Sequence, residues 1–295
     1  MVCHDCGTPS LKPEINMKFD FFTYGGAVFW EDVFFYQKWR IQRNCFTKKY
    51  RLLDSWDIRR ASGNFETCQK AFIKYIESYE ITKQQGKLIV LLHGYGDGKN
   101  IFKPLWRKLA FTNSVVAAIN YPSLFHSALA SAHQLLFFLN HMEDIDEVSF
   151  VTKGAGNLVL HHAFNLPYEL QKFQERMRIG NIVEINPVIK PKLLCELLSR
   201  LKFIRAPFGP MIKDFTQKNI QNLPSLPSQF KILKIFSTSK MYLLYLRFLR
   251  KCFIPIEEDN EIDEDSVYLQ RNSGTALENE EVLNVTVKFL QNGKI

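Results

Sequence analysis

The chain has 295 residues and 34.5 kDa, 46% of them hydrophobic and 14% aromatic, which is enough apolar material for a large buried core and excludes a mainly disordered chain. Twenty-five Phe, 12 Pro and 14 Gly, with no internal period, exclude collagenous, low-complexity and solenoid classes. The net charge of +8 hides a polarity along the chain: residues 187–251 carry +11, and residues 257–281 carry −9. Pairing between these two segments explains the pattern without a nucleic acid, for which no zinc-finger or RNA-binding motif is present.

In chain order, residues 1–24 read as a flexible tail. Charges at Asp5, Lys12, Glu14, Lys18 and Asp20 interrupt any apolar run, so no signal peptide is expected, and no stretch is long enough to span a bilayer. Cys3-His4-Asp5-Cys6 has the spacing of half a zinc site but no second half, so no metal is expected. Six scattered cysteines without a secretion signal suggest reduced thiols and a cytoplasmic location. Residues 25–84 read as an extension packed on the main body, with a helix at 65–79 that Asn64 starts.

The rhythm then changes. Residues 87–92 are an apolar run without alternation, the pattern of a strand buried on both faces of a parallel sheet. It leads into His93-Gly94-Tyr95-Gly96-Asp97-Gly98. A helix at 102–109, a strand at 114–120, a helix at 125–141 that Ser123 would cap, and a strand at 147–151 follow. Then come Thr152-Lys153-Gly154-Ala155-Gly156-Asn157, a helix at 158–164 and strands at 181–186 and 230–236. Alternating strands and helices predict a mostly parallel, twisted sheet with helices on both faces. Ligands of such sheets sit beyond the carboxyl ends of the strands. The spacing Gly94-x-Gly96-x-Gly98 is not a phosphate-loop fingerprint and has no Lys-Ser/Thr pair, so no nucleotide cofactor is expected.

Strand, sharp turn and helix around Gly154 have the layout of a nucleophile elbow, in which Gly-x-Ser-x-Gly places a serine on a strained turn. With the His93-Gly94-Tyr95-Gly96 turn and Asn120-Tyr121-Pro122-Ser123, this makes residues 85–292 resemble the α/β-hydrolase family of the lipase and esterase type. The resemblance implies an α/β-hydrolase fold with a helical cap-like insertion at 188–228 in a core spanning 85–295. It implies an oxyanion hole from backbone N–H groups near Tyr95 and at Ala155, beside His93 and Gly94. It puts the nucleophile position at Gly154 and the base position at Gly274, in Asn272-Ser273-Gly274-Thr275, and favours Asp259 for the acid. Two of the three catalytic side chains are therefore glycine, which implies an inactive, ligand-binding or scaffolding protein.

The competing reading is an active ester hydrolase with a displaced nucleophile, Ser123, Thr152 or Ser273, served by His93, His126, His161 or His162. His161 and His162 stand two turns into a helix, and His93 reads as a locally bonded structural residue. The expected ligand is an acyl or lipid-like molecule. Leu193, Leu194, Leu197, Leu198 and Leu201 fall at helical spacing among Lys192, Arg200 and Lys202. This helix and residues 240–254 offer basic, apolar surfaces (190–205 and 240–254) for an anionic membrane, although packing onto the sheet accounts for the same pattern.

Overall fold

The computed structural model describes residues 29–142, 144–167, 175–191, 193–200, 208–239, 266–271 and 275–294. Two sheets organise them. A four-stranded antiparallel meander, β1 (Trp30–Tyr36), β2 (Trp39–Asn44), β3 (Tyr50–Leu53) and β4 (Arg59–Gly63), precedes helix α1 (Phe65–Tyr79). A six-stranded parallel sheet has the order β10-β9-β8-β7-β5-β6. Its strands are β5 (Gly86–Leu92), β6 (Ser114–Ile119), β7 (Ile145–Lys153), β8 (Arg178–Ile185), β9 (Ile232–Ser239) and β10 (Ser266–Arg271).

Helices cover both faces of the parallel sheet. On one side lie α3 (Ala128–Asn140) and α4 (Gly156–Ala163), which bury Leu135, Phe138, Leu158 and Val159 with Leu88, Val90 and Phe150. On the other lie α2 (Lys103–Leu109) and the C-terminal α7 (Glu280–Asn292), which pack Leu105, Leu109, Val282 and Phe289 against Ile89, Leu91 and Val183. With both faces covered, the central strands need no polar alternation, and Leu88, Val90, Leu91, Val151 and Val183 are fully buried. This is the α/β-hydrolase fold.

Strand β10 was not expected: the acids before it mask the six residues Ser266–Arg271, which pair with β9 along their whole length. Nor were β1 to β4 read as strands. Charges occur inside β1, where Glu31 and Asp32 are buried and answered by Arg43 and by Arg40 and Gln42 of β2. Asp32 also fastens the meander to the parallel sheet. Its N–H donates to the Asn120 carbonyl, and its carboxylate accepts the Asn120 N–H at 2.8 Å.

Helix α1 begins at Asn64 as expected, the side chain accepting from the Thr67 N–H at 2.7 Å. Helix α3 does not begin at Ser123. Ser127 is its cap, accepting from the Ala130 N–H, because residues 121–127 are used in a turn whose N–H groups fold back on Pro122.

Between β8 and β9 the chain forms α5 (Leu193–Arg200), a 3₁₀ segment Pro210–Phe215 and α6 (Gln217–Gln221). Cys195 and Leu198 of α5 are buried, whereas Leu197, expected on the packed stripe, is exposed. Among the described residues, no helix is long and apolar enough to cross a membrane. The second basic segment, 240–254, and the Cys3–Cys6 motif lie outside the described residues.

Candidate functional site

The strand order reverses at β5, whose sequence neighbour β6 lies on one side while β7 lies on the other. The crevice beyond the carboxyl ends of β5 and β7 is therefore the topological switch point, where ligands of doubly wound sheets bind. The two glycine-bearing turns meet there. Leu92 pairs with Thr152, and a Cβ placed on Gly154 would lie 3.8 Å from the Gly94 Cα.

The apex residue Gly154 has φ +53°, the left-handed conformation that strains any residue with a Cβ. Its N–H donates to the Ile185 carbonyl at 2.9 Å, and its carbonyl accepts from the Asn157 N–H. Among the described residues a Cβ here would touch only Gly94, so the apex has room for one and carries none. Gly156, two residues on, is required for a different reason. A Cβ there would sit 2.5 Å from the Leu92 carbonyl oxygen and 3.0 Å from that of His93, since α4 starts directly against β5. Asn157 fixes the helix start to the loop after β8 by bonding both the N–H and the carbonyl of Val188.

His93 is fully buried. Its Nδ1 bonds the Gly94 carbonyl at 2.8 Å, its Nε2 accepts from the Tyr121 N–H, and its ring stacks on Tyr121 at 4.1 Å. The Tyr121 hydroxyl donates back to the His93 carbonyl. Burial lowers the imidazole pKa and raises that of the phenol, so both rings stay neutral, and both imidazole nitrogens are engaged within the turn. Tyr95 donates its hydroxyl to the Phe208 carbonyl and sets its ring edge-on to Phe215, which ties the turn to the segment above the sheet. Burial pushes its phenol up to about 12.

Two charges stand beside the turns. The Lys153 ammonium, one residue before the apex, contacts the Asp97 carboxylate at 2.6 Å, and both side chains are about a quarter exposed (22% and 26%). A Cβ on Gly94 would meet this same carboxylate at 2.8 Å. The pair thus spans the two turns. It was not foreseen, because its members lie 56 residues apart.

Among the described residues, no hydrogen bond joins an alternative nucleophile to an alternative base. Ser123 is buried and its hydroxyl accepts the Gly96 N–H at 3.0 Å, which shapes the His-Gly turn. The buried Thr152 hydroxyl has no hydrogen-bond partner among the described residues. His161 has both ring nitrogens engaged. Its Nδ1 bonds the Pro224 carbonyl at 2.7 Å and its Nε2 lies 3.1 Å from Glu184 of β8. Burial is the largest single influence and opposes its charge, but the hydrogen bond and charge of Glu184 and the bond to the Pro224 carbonyl together outweigh it and raise the imidazole pKa. Burial lowers the pKa of His162, and also that of His126, whose Nδ1 is 3.5 Å from the buried Glu31. Glu184, a carboxylate inside an apolar strand, is a signal in the sequence that was not read. Gly274, Ser273 and Asp259 lie outside the described residues. Among the described residues no cluster of three or more His, Cys, Asp or Glu is disposed to hold a metal.

No family model matches the chain, and no curated protein does. Among solved structures it is similar to a monoacylglycerol lipase of Paleococcus ferrophilus at 13% identity and a TM-score of 0.45, over 69% of this chain and 93% of that one. A Bacillus licheniformis lipase, BlEst2, gives 11% identity and a TM-score of 0.45, over 70% and 92%. A metagenomic carboxyl esterase, MGS0156, gives 12% and 0.40 over 54% of this chain, which spans about half (52%) of that protein. Identity of this order says nothing of chemistry, and the fold rests on strand order and the placement of the two turns.

Proposed function

We propose that this chain is a catalytically silent protein on a lipase- and esterase-type α/β-hydrolase fold, which holds an acyl or lipid-like ligand rather than cleaving it. The observation that carries the reading is the apex of the elbow. Gly154 has the left-handed backbone and the room for a Cβ of a nucleophile position but no oxygen or sulfur with which to form an acyl-enzyme. The neighbouring residues support it. His93 is locked in the turn, Ser123 serves the Gly96 N–H, and the Lys153–Asp97 ion pair bridges the two turns. Backbone donors near Tyr95 and at Ala155 would retain polarity toward a carbonyl oxygen. A hydrolase left with such donors alone keeps about 10³–10⁴ over water, far below a working enzyme.

The test is hydrolysis of short- and long-chain p-nitrophenyl esters by the wild type and by a Gly154→Ser, Gly274→His double variant, with fluorophosphonate labelling of both. Activity and labelling confined to the variant support the reading. Wild-type activity that is abolished by Ser123→Ala, Thr152→Ala or Ser273→Ala would refute it and make the protein an ester hydrolase. Equilibrium binding of fatty acids to the wild type tests the ligand class. The basic segments at 190–205 and 240–254 are proposed to bring the protein to the cytoplasmic face of an anionic membrane, which cosedimentation with phosphatidylserine vesicles would measure.

A further inference from the structure

A second cavity, of about 180 Å³, opens between the β1–β2 turn, the β3–β4 hairpin and the segment entering α2. Its charged lining is one-sided: Lys38, Arg40, Lys99 and Lys103 face a single acid, Asp57. Arg40 is only 7% exposed. One end of its guanidinium is held by Asp32 at 3.1 Å, but its Nε has no hydrogen-bond partner among the described residues, and the Asp57 carboxylate stops 3.6 Å away. Asp57 is spent on Lys99, whose ammonium bonds both of its oxygens at 2.7 and 2.6 Å. One half-exposed carboxylate on a hairpin turn thus serves two cations, while Lys38 and Lys103 add to the surplus. Burial and the nearby Arg40 both lower the Lys99 pKa, as expected where positive charge exceeds negative.

The remaining walls are apolar and aromatic. Trp106 and Trp56 line the cavity at 38% and 78% exposure, and the Lys38 ammonium lies 5.8 Å from the Trp106 ring centroid. Two indoles left this open on a folded surface are a large apolar exposure, and flat rings stack on such faces. We propose that this cavity binds an anion carrying an aromatic ring, an aryl phosphate or aryl carboxylate. Arg40 and Lys99 hold the anionic group, and Trp106 and Trp56 flank the ring. Asp57 is the internal competitor, whose carboxylate occupies the seat in the free protein and is displaced by the ligand. The site stands apart from the Gly154 turn, and its existence does not depend on whether esters are cleaved there.

The probes are phenyl phosphate and benzoate, with inorganic phosphate as the anion without a ring and phenyltrimethylammonium as the ring with the opposite charge. Each is titrated into the full chain by calorimetry and tryptophan fluorescence. Saturable binding of phenyl phosphate or benzoate, at least about tenfold tighter than inorganic phosphate, is expected, and whichever of the two is tighter identifies the anionic group. Lys99→Gln weakens that binding about tenfold, Asp57→Asn tightens it about threefold or more, and Trp106→Leu erases the preference over inorganic phosphate. Asp57→Asn is the safeguard against misfolding, since it is a surface change at a left-handed position (φ +62°) that asparagine tolerates. The proposal is overturned if neither aryl anion binds saturably below about 10 mM, if phenyltrimethylammonium binds as well as they do, or if Asp57→Asn leaves their affinity unchanged.

Discussion

Replacing Gly156 with alanine perturbs the closest approach in the site. The added Cβ would lie 2.5 Å from the Leu92 oxygen, 3.0 Å from the His93 oxygen and 3.1 Å from the Leu92 carbonyl carbon, all backbone atoms at the end of β5. None is the flexible end of a side chain, so relief requires α4 to retreat from the sheet, taking with it the buried Leu158, Val159 and Leu160. Overpacking of this kind costs about 1–3 kcal/mol, and the better helix propensity of alanine returns less than about 1 kcal/mol at a first-turn position. A net loss of about 2 kcal/mol follows. Gly154→Ala is the control. It meets only the Gly94 Cα at 3.8 Å, so its penalty is the left-handed backbone alone, about 1 kcal/mol. In urea, with an m value of about 3 kcal/mol/M, the midpoints fall by about 0.7 M for Gly156→Ala and about 0.3 M for Gly154→Ala. If Gly156→Ala unfolds at or above the midpoint of Gly154→Ala, the close packing of helix on strand is wrong, and so is the elbow built on it.

Other consequences follow from buried polar groups. The His161 pKa is raised in the folded state by Glu184, so its stabilisation is fully present below the unfolded value and fades as pH rises through the folded one. His161→Gln therefore destabilises the protein more at about pH 5.5 than at about pH 8.5, which urea midpoints at the two values would show; equal losses would exclude the charged pair. Burial pushes the Asp214 carboxyl up to about 6, against the Ala128 N–H that it accepts at 2.6 Å. Asp214→Asn keeps that acceptor and removes a buried charge, so it stabilises the chain by about 1–2 kcal/mol at about pH 7.5 and has little effect at about pH 3, where both folded and unfolded carboxyls are protonated. A thermal melt showing destabilisation at pH ~7.5 contradicts this. Asn157→Ala strands the Val188 N–H and carbonyl beneath α4, a loss of about 2–4 kcal/mol in chemical denaturation; a value below about 0.5 kcal/mol would mean that water replaces the amide.

The parallel sheet was legible because burial on both faces leaves a plain trace: the run at Leu88 to Leu92 has no polar residue, and the strands leading to Gly154 and Asn186 keep the apolar pairs Phe150-Val151 and Ile182-Val183 at their centres. Strands with one charged register position were not legible. Glu31 and Asp32 look like solvent-facing residues until their partners on β2, eight to twelve residues later, are known, and β10 is overshadowed by the acids before it. Ser123 was assigned to a helix start because it stands near one. The true cap, Ser127, is equally short and polar, and only the turn at Pro122 separates the two. At the site, backbone features followed from the glycines, whereas the sequence does not say which residues pair across distant elements, as Lys153 does with Asp97 and His161 with Glu184.

The junction between the sheets also bears on how the chain is made. The meander and α1 contact one another within about fifty residues and form their own cluster around Ile41, Leu52 and Phe72 as they leave the ribosome. The outer side of β1 has no such early partner. Phe35 waits for Phe138, and the Asp32 backbone waits for Asn120 and for the Gln134 amide that caps its carbonyl. Until roughly a hundred further residues have been synthesised, that face remains an open strand with an apolar ring and unpaired backbone groups, and at about 5–20 residues per second this lasts about 5–20 s. Nascent chains halted before residue 120 should therefore be chaperone clients and sensitive to protease along β1, and those released beyond α3 should not.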